Sequence, residues 1–458
     1  MRSNHQAPSL PCRAPSPPDH WPAIDFTSLP CRSPAFSLPA RLPLLDGGVA
    51  LSDQQINALA RDAIQHASAG DFAAAEPLFA QVVEARPNSG QALHLLGQAR
   101  LKLGRFADAR EPLQRAAQFL PKEPAAQVNL AGCLSVLGAH AEALVALERA
   151  TRLAPDNAAI AHNRGRALEA LGRTDEAEQA YNDALSIDHR LTLALGARAA
   201  LLMARGDWAG ALSDLDMALT SQPNDTRLRL RRGELLLSQG DWMRGLDDYE
   251  ARLELPEHHH PRWSPDLPRW TAEPLDGRLL VYPEQDNIEG DAAMRDTLML
   301  ARLPAVDAAI QCSFKVAGWL DLPTVRRGDP LDGFAAAIPL RSLPTVLGWT
   351  LQTLPPPPPL RLKPDPAPDR IGWFSTSDPP PSVAVERNPE HVALCTLVVG
   401  DDHAPTHVAA MLGIPTLMRL SHSADWLWGP QRGSSPWYRT LETLDGDAAE
   451  ALVARLGR

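Results

Sequence analysis

A period of 34 residues runs through the first half of this chain and restricts its fold more than any other feature. Glycines, small residues, large apolar residues and prolines each recur at this spacing. The series are Gly70, Gly104, Gly138, Gly172, Gly206 and Gly240; Ala75, Ala109, Ala143, Ala177 and Ala211; Ala63, Gly97, Ala131, Gly165, Ala199 and Gly233; Phe79, Leu113, Leu147, Tyr181, Leu215 and Tyr249; and Pro87, Pro121, Pro155 and Pro223.

Each series has a physical role in a unit of two helices. A glycine ends the first helix because it adopts a left-handed conformation without a steric penalty. The two series of small residues let two antiparallel helices approach closely, and the large apolar residue fills the space between neighbouring units. The proline stops the second helix before the next unit begins.

A helix–turn–helix period of this length resembles the tetratricopeptide repeat (TPR), in six units over about residues 52–256. The resemblance implies an α-solenoid whose concave face binds a protein or a peptide. An alternative is that the repeats only pack against the neighbouring domain.

Composition excludes several classes of protein. The net charge is −11 and there is no long basic block, so nucleic acid is a poor candidate partner. No apolar run reaches the length of a membrane span. The five cysteines have no CxxC spacing, which is typical of a reducing compartment. We therefore expect a cytoplasmic protein with no membrane span.

Two segments beside the repeats carry little pattern. Residues 1–50 hold ten prolines and predict a disordered leader. Residues 257–276 predict a linker. Its three consecutive histidines, His258–His260, suggest a metal site, but adjacent side chains point in different directions, so we favour a solvated linker.

Beyond the linker, strand-like runs alternate with helical patterns. RLLVY and DAAIQC read as strands before a run of five prolines, Pro355–Pro359, and RIGWF, VALCTLVV and IPTLMRL read as strands after it. This alternation predicts a parallel α/β sheet in each of two halves, residues 277–354 and 367–458. Residues 355–366 are then a Pro-rich connector, although such a run can also bind a groove of another domain.

Several strings resemble bacterial proteins that join tetratricopeptide repeats to a heptosyltransferase-like glycosyltransferase of the two-Rossmann, GT-B type (glycosyltransferase family 9-like). They are, in family order, GDWMRGLDDYEARL, LDGRLLVYPEQ, GDAAMRDTLMLARLP, IPLRSLPTVL, RIGWF, VVGDDHAPTHVAAMLGIP, DWLW and SSPWY. The resemblance implies two reduced Rossmann halves and transfer of a sugar from a nucleotide-sugar to a protein or glycan recruited by the repeats. It implies no cofactor and no metal.

The resemblance places the donor site at the start of a helix, where free N–H groups and the helix dipole favour phosphate. It implies that Asp402, His403, Thr406 and His407 contact the donor. Without it, Asp402 reads as a helix cap and His407 as a satisfied buried ring. A third alternative is a divalent-metal site that includes Asp401.

The other half supplies the acceptor side in the family. Glu284, Gln285 and Gly290 fit its turn, and Asp291 matches the proposed general base that takes the proton of the acceptor hydroxyl. An equal alternative is that Asp291 caps the following helix. The resemblance also suggests that aromatic residues stack on the base or sugar, although packing against the sheet is at least as plausible. These residues are Trp426, Trp428, Trp437 and Tyr438.

The sequence also departs from the family. The span from Trp373 to Asp402 is 29 residues, which omits a strand–helix unit that carries contacts to the nucleotide base. The basic residue after the Trp-rich strand is absent. A second hypothesis is therefore a catalytically inactive scaffold in which the repeats mediate protein–protein interactions.

Overall fold

The structure of the chain is a computed structural model that describes residues 51–255, 265–284, 290–303, 306–380, 383–420, 426–428, 435–444 and 448–456. The described chain divides into two compact units, Met1–Leu201 and Leu202–Arg458. Among the described residues, no helix is long and apolar enough to cross a membrane.

Twelve helices follow the period of the sequence, two for each 34-residue unit. They are α1 Asp53–Ser68, α2 Phe72–Ala85, α3 Gly90–Lys102, α4 Phe106–Phe119, α5 Pro124–Val136, α6 His140–Leu153, α7 Ala158–Ala170, α8 Thr174–Ile187, α9 Thr192–Ala204, α10 Trp208–Ser221, α11 Thr226–Ser238 and α12 Trp242–Tyr249. The contacts α1–α2, α3–α4, α5–α6, α7–α8 and α11–α12 pair the two helices of a unit.

The repeat geometry explains the sequence period. The turn glycines have positive φ, for example +71° at Gly104 and +83° at Gly240, a conformation that favours glycine. A Cβ on Gly97 would lie 2.5 Å from Leu113, and one on Gly165 would lie 2.4 Å from the Tyr181 ring. Glycine at these positions therefore lets the two helices of a unit touch, as the spacing predicts.

In the first unit, the core forms between neighbouring helix pairs. Leu113, Leu147 and Tyr181, one from each of three consecutive repeats, belong to one apolar cluster and are at most 2 % exposed. Each repeat therefore depends on its neighbours for burial, as expected for a stacked array.

The second unit contains a four-stranded sheet in which all strands are parallel. Its order is β3-β2-β1-β4. The strands are β1 Arg278–Tyr282, β2 Ala308–Gln311, β3 Thr324–Val325 and β4 Phe334–Pro339, and the helices are α13 Asp291–Leu300, α14 Phe314–Trp319 and α15 Leu343–Val346. The sequence predicted β1 and β2 but not β4, whose FAAAIP run pairs with β1 along its length.

A second parallel sheet, of five strands, has the order β6-β5-β7-β8-β9. The strands are β5 Ile371–Phe374, β6 Val385–Glu386, β7 Leu397–Asp401, β8 Thr416–Arg419 and β9 Leu441–Leu444, and the helices are α16 Ala404–Met411 and α17 Ala448–Leu456. The prediction of a parallel α/β sheet in each half is thus confirmed.

The proline run lies between the two sheets in sequence. The Pro359 carbonyl accepts a hydrogen bond of 2.8 Å from the Asp321 amide, which ties the end of the run to the segment after α14.

One apolar core joins the last repeat to both sheets of the second unit. Leu237 and Trp242 of the repeat lie in the same cluster as Leu279 of β1, Val398 of β7 and Met418 of β8. Successive residues of a strand face opposite sides, so Val399 packs in a separate cluster with Leu452 of α17. Both faces of the second sheet are covered, as is usual for parallel sheets.

Candidate functional site

The motif DDHAPTH lies where β7 ends and α16 begins. Asp401 is the last residue of β7 and α16 starts at Ala404, so the motif is at the carboxyl end of a central parallel strand. Helix α13, which follows β1 of the other sheet, packs against α16. The structure therefore brings the two predicted parts of the site, from different sheets, next to each other.

Asp401 accepts hydrogen bonds from five donors on three of the described residues, Ser375, Thr376 and Arg419, and one of these donors is the Thr376 hydroxyl at 2.8 Å from Oδ2. Its Oδ1 accepts from Ser375 Oγ at 3.0 Å and from Arg419 Nε at 2.8 Å, while Oδ2 accepts from the Thr376 amide at 2.7 Å. Arg419 Nη2 donates a further bond to Oδ2 at 3.1 Å. Burial acts to raise the pKa of Asp401, but the hydrogen bonds from Thr376 and Arg419 outweigh it and lower the pKa. Both oxygens of this carboxylate are occupied by protein groups.

Asp402 binds three groups from separate parts of the second unit. Its Oδ1 lies 2.9 Å from His407 Nε2, while Oδ2 accepts from Arg295 Nη1 at 3.0 Å and from Trp428 Nε1 at 3.1 Å. Burial acts to raise the pKa of Asp402, but the His407 hydrogen bond and the charges around it lower that pKa to about 2. The carboxylate is therefore ionised, and each of its oxygens has a partner within the protein.

His407 is wholly buried and has a partner on each ring nitrogen. Its Nδ1 lies 3.1 Å from the Tyr438 hydroxyl, and Nε2 faces Asp402. Nε2 donates to the Asp402 carboxylate, because a carboxylate only accepts, and the Tyr438 hydroxyl lies against Nδ1. Burial raises the pKa of Tyr438, which keeps this hydroxyl protonated. The sequence alternative of a satisfied buried ring describes His407 as it stands.

The helix-cap alternatives do not match the structure. The N-cap of α16 is His403 and the N-cap of α13 is Gly290, each without a side-chain cap hydrogen bond. Asp402 therefore precedes the cap, and Asp291 is the first helical residue. The Asp402 side chain pairs with Arg295, which is distant in sequence, and with His407 of α16, rather than capping the helix end.

Asp291 and His403 form the exposed part of the site. Asp291 Oδ2 lies 3.3 Å from His403 Nδ1, and their side chains are 59 % and 35 % exposed. The pair joins the start of α13 to the start of α16, so the proposed base and one proposed donor-binding residue are in contact.

Thr406 is wholly buried, and its Oγ1 has no hydrogen-bond partner among the described residues. A Cβ on Gly400 would lie 2.4 Å from this Oγ1, so the side chain packs against the β7 backbone. The amides of Thr406 and His407 both donate to the His403 carbonyl, and Pro405 has no N–H. Few amides at this helix start are left for an anion.

Asp402 is one member of a larger network of ion pairs that the sequence did not predict. Arg295 also binds Asp296, which is wholly buried and pairs with Arg341 at 2.7 Å. Arg341 in turn donates to the Tyr249 hydroxyl of the last repeat at 2.8 Å. Burial acts to raise the pKa of Asp296, but the two arginines lower it.

A second buried arginine, Arg252, extends this connection. It pairs with Glu250 at 2.7 Å and Glu284 at 3.0 Å, and donates to the Ser342 hydroxyl at 2.9 Å. We call the groups from His407 through Arg341 to Arg252 the polar network. Its members from YEARL, MRDTLMLARL and IPLRSL lie in strings that carried the family resemblance, but nothing in those strings indicated that their charges pair with one another.

The predicted stacking residues Trp426 and Trp437 are core residues in the structure. They are 5 % and 3 % exposed, and both rings contact Trp242 of the last repeat, with centroids 5.4 and 5.9 Å away. Tyr438 is 4 % exposed and contacts His407. These contacts favour the packing alternative that the sequence left open.

Some predicted positions lie outside the described residues, namely Gln285 and His258–His260. Within the described part of the chain, no group of three or more histidine, cysteine, aspartate or glutamate side chains is placed to hold a metal ion. The metal alternative for Asp401, Asp402, His403 and His407 therefore has no geometric support there.

Comparison with known proteins identifies the helical part. Tetratricopeptide-repeat families match residues 61–124 and 197–255, and residues 123–188. No curated protein matches the sequence.

Solved structures similar to the chain include three bacterial proteins. A thermophilic TPR protein of Thermus thermophilus is 26 % identical, with 40 % of this chain and 99 % of that chain covered and a TM-score of 0.34. A tetratricopeptide-repeat protein of Parabacteroides merdae is 20 % identical, with 44 % and 80 % covered and a TM-score of 0.39. PilF of Pseudomonas aeruginosa is 17 % identical, with 45 % and 93 % covered and a TM-score of 0.39. Family matches and helix pairs together identify the repeats that precede the two parallel sheets as tetratricopeptide repeats.

Proposed function

We propose that this protein is a tetratricopeptide-repeat scaffold that binds a protein or peptide partner, and that its α/β region is a GT-B-like module without sugar-transfer activity. The two parallel sheets and the order of the family strings support the GT-B relationship. The repeats support the scaffold, because stacked helix pairs present an extended surface. A cytoplasmic location belongs to the same proposal.

The proposal rests on one observation: the side chains of the donor motif already form hydrogen bonds with other groups of the protein. Asp402 and His407 are the residues that the resemblance assigns to the nucleotide-sugar, and each already has internal partners. A ligand that used Asp402 would compete with Arg295, Trp428 and His407 for this carboxylate. Breaking a buried charge pair by removing one partner costs about 3–5 kcal/mol, which opposes such an exchange.

In this interpretation the polar network has a structural role. It joins α12 and the turn after it to both sheets through charged pairs. Two of its members, Asp402 and His407, are the residues that the resemblance assigns to the nucleotide-sugar. Each charge in it has an opposite charge beside it, so burial of the network is tolerated.

The experiment is isothermal titration calorimetry of the full chain with a panel of ADP-, UDP- and GDP-sugars. We expect no heat of binding for any donor. Saturable binding that is abolished by Asp402→Ala and kept by Asp321→Ala, an exposed carboxylate of the same unit, would contradict the scaffold proposal.

A second candidate function is an active glycosyltransferase, and the pair formed by Asp291 and His403 favours it. Both side chains are accessible, and they lie at the carboxyl ends of parallel strands, where doubly wound domains bind ligands. In this function Asp291 accepts the proton of the acceptor hydroxyl, and His403 stabilises the charge of the leaving phosphate.

An assay of released nucleotide tests this candidate, with the wild type compared with Asp291→Asn and with the control Asp321→Asn. Turnover that falls at least tenfold only in Asp291→Asn supports the transferase. Equal rates in the three proteins exclude Asp291 as the base.

A further inference from the structure

A groove in the first unit has the size of a ligand site. It has a volume of about 830 Å³ and is lined by the second helices of two consecutive repeats, α4 and α6, together with α5 between them. Clefts of about 300–1,000 Å³ are typical of small-ligand and side-chain binding. All the residues that line it lie in the described range 51–255.

The groove is apolar at its base and partly apolar at its edge. Leu130 and Leu134 of α5 are 8 % and 2 % exposed, whereas Val145 and Leu153 of α6 are 47 % and 37 % exposed. Two large aliphatic side chains thus remain open to solvent beside a buried aliphatic base, an arrangement that favours an aliphatic side chain from a partner.

Gln127 places an unused acceptor in the same groove. The side chain is 3 % exposed, its Nε2 donates to the Ala117 carbonyl at 3.2 Å, and its Oε1 has no hydrogen-bond partner among the described residues. An unpaired buried carbonyl costs about 1–3 kcal/mol. The amide oxygen therefore favours an N–H donor that enters the groove.

The charge of the groove is positive. Arg149 and Arg152 of α6 line it and have no acidic partner among the described residues. Its one acidic residue, Glu142, is already paired with Arg110 at 3.0 Å. A guanidinium pairs well with a carboxylate, so the unpaired charges select an acidic partner.

We propose that this groove binds an extended acidic peptide segment of a partner protein. An aliphatic side chain of the peptide packs over Leu130 and Leu134, a backbone N–H donates to Gln127 Oε1, and a carboxylate pairs with Arg149 and Arg152. This inference rests on the proposed function of the repeats as a protein-binding array, and it names the residues that bind the partner.

The test is selection from a phage-displayed library of random decapeptides on the full chain, followed by fluorescence polarisation with a labelled synthetic copy of the enriched peptide. We expect peptides that combine aspartate or glutamate with leucine or isoleucine. The double variant R149E/R152E should weaken binding at least about tenfold. Arg190→Glu, an exposed arginine outside the groove, should leave it unchanged.

The variant Gln127→Leu tests whether the peptide donates a hydrogen bond to the Gln127 side chain. If the peptide donates to Gln127, the variant weakens peptide binding several-fold, in addition to any loss of stability from the missing bond to the Ala117 carbonyl. Unchanged peptide affinity, whatever the melting temperature, would overturn the assigned role of Gln127.

The remaining outcomes test the groove proposal separately from the scaffold proposal. Enriched peptides that bind R149E/R152E as tightly as the wild type would overturn the groove and leave the scaffold standing. A selection without any enriched peptide would overturn the groove as a peptide site and would leave a scaffold for a folded protein standing.

Discussion

Replacing Asp402 with asparagine tests whether the polar network stabilises the second unit. The substitution keeps the size of the side chain and removes the charge that faces His407, Arg295 and Trp428. The pKa of Asp402 is lowered from 3.8 to about 2 in the folded protein. A tenfold change in proton affinity corresponds to about 1.4 kcal/mol, so the carboxylate contributes about 2 kcal/mol to the free energy of unfolding.

The sign of the pH dependence follows from the lowered pKa. The stabilising contribution is present in full above the unfolded pKa of 3.8 and is lost as the pH falls toward the folded pKa of about 2. We therefore expect Asp402→Asn to be less stable than the wild type by about 2 kcal/mol at pH 7. The two proteins should converge between about pH 4 and pH 2.

Urea unfolding followed by tryptophan fluorescence is the suitable assay. Of the 11 tryptophans, only Trp21 precedes Leu202, so the signal reports mainly on the second unit. The control is Asp321→Asn, whose partner Arg361 is 3.8 Å away and whose side chain is 68 % exposed. An exposed pair of this kind contributes about 0–1 kcal/mol. Equal effects of the two substitutions at pH 7, or a difference that persists at pH 2, would refute the structural role of the network.

Two predictions concern the first unit. Gly165→Ala places a methyl group 2.4 Å from the Tyr181 ring and should lower the free energy of unfolding by about 1–3 kcal/mol, measured by urea titrations followed by circular dichroism. Adding Tyr181→Leu should recover part of this loss. Simple additivity of the two effects would contradict the steric argument. Burial lowers the pKa of His94 to about 4, so the stability that neutral His94 contributes is present above pH 6.5 and is lost as the pH falls toward 4. Thermal melts from pH 7 to pH 4 should show a smaller fall in melting temperature for His94→Gln than for the wild type or for the exposed control His189→Gln, and identical pH profiles would contradict this prediction.

The donor motif shows how far sequence reasoning reached at the candidate site. Its position at the end of a central strand was predictable, because an apolar run followed by polar residues and a helix pattern is a local feature. The state of its side chains was not. Arg295 donates to Asp402, which is 107 residues away in the sequence, and no local sequence pattern predicts such a pair. The cap alternatives for Asp291 and Asp402 were local interpretations, and neither residue is the N-cap.

The sequence by itself determined the repeats, their helix ends and the parallel α/β character of both later halves. Each of these rests on contacts between residues close in sequence or on a fixed period, as at Gly104, where the backbone requires a positive φ. Only the tertiary structure decided what surrounds Asp402 and His407, because their partners come from α13 and from the segments that carry Trp428 and Tyr438. Burial and charge compensation depend on this three-dimensional arrangement, and the same residue types in a more open arrangement could bind a ligand.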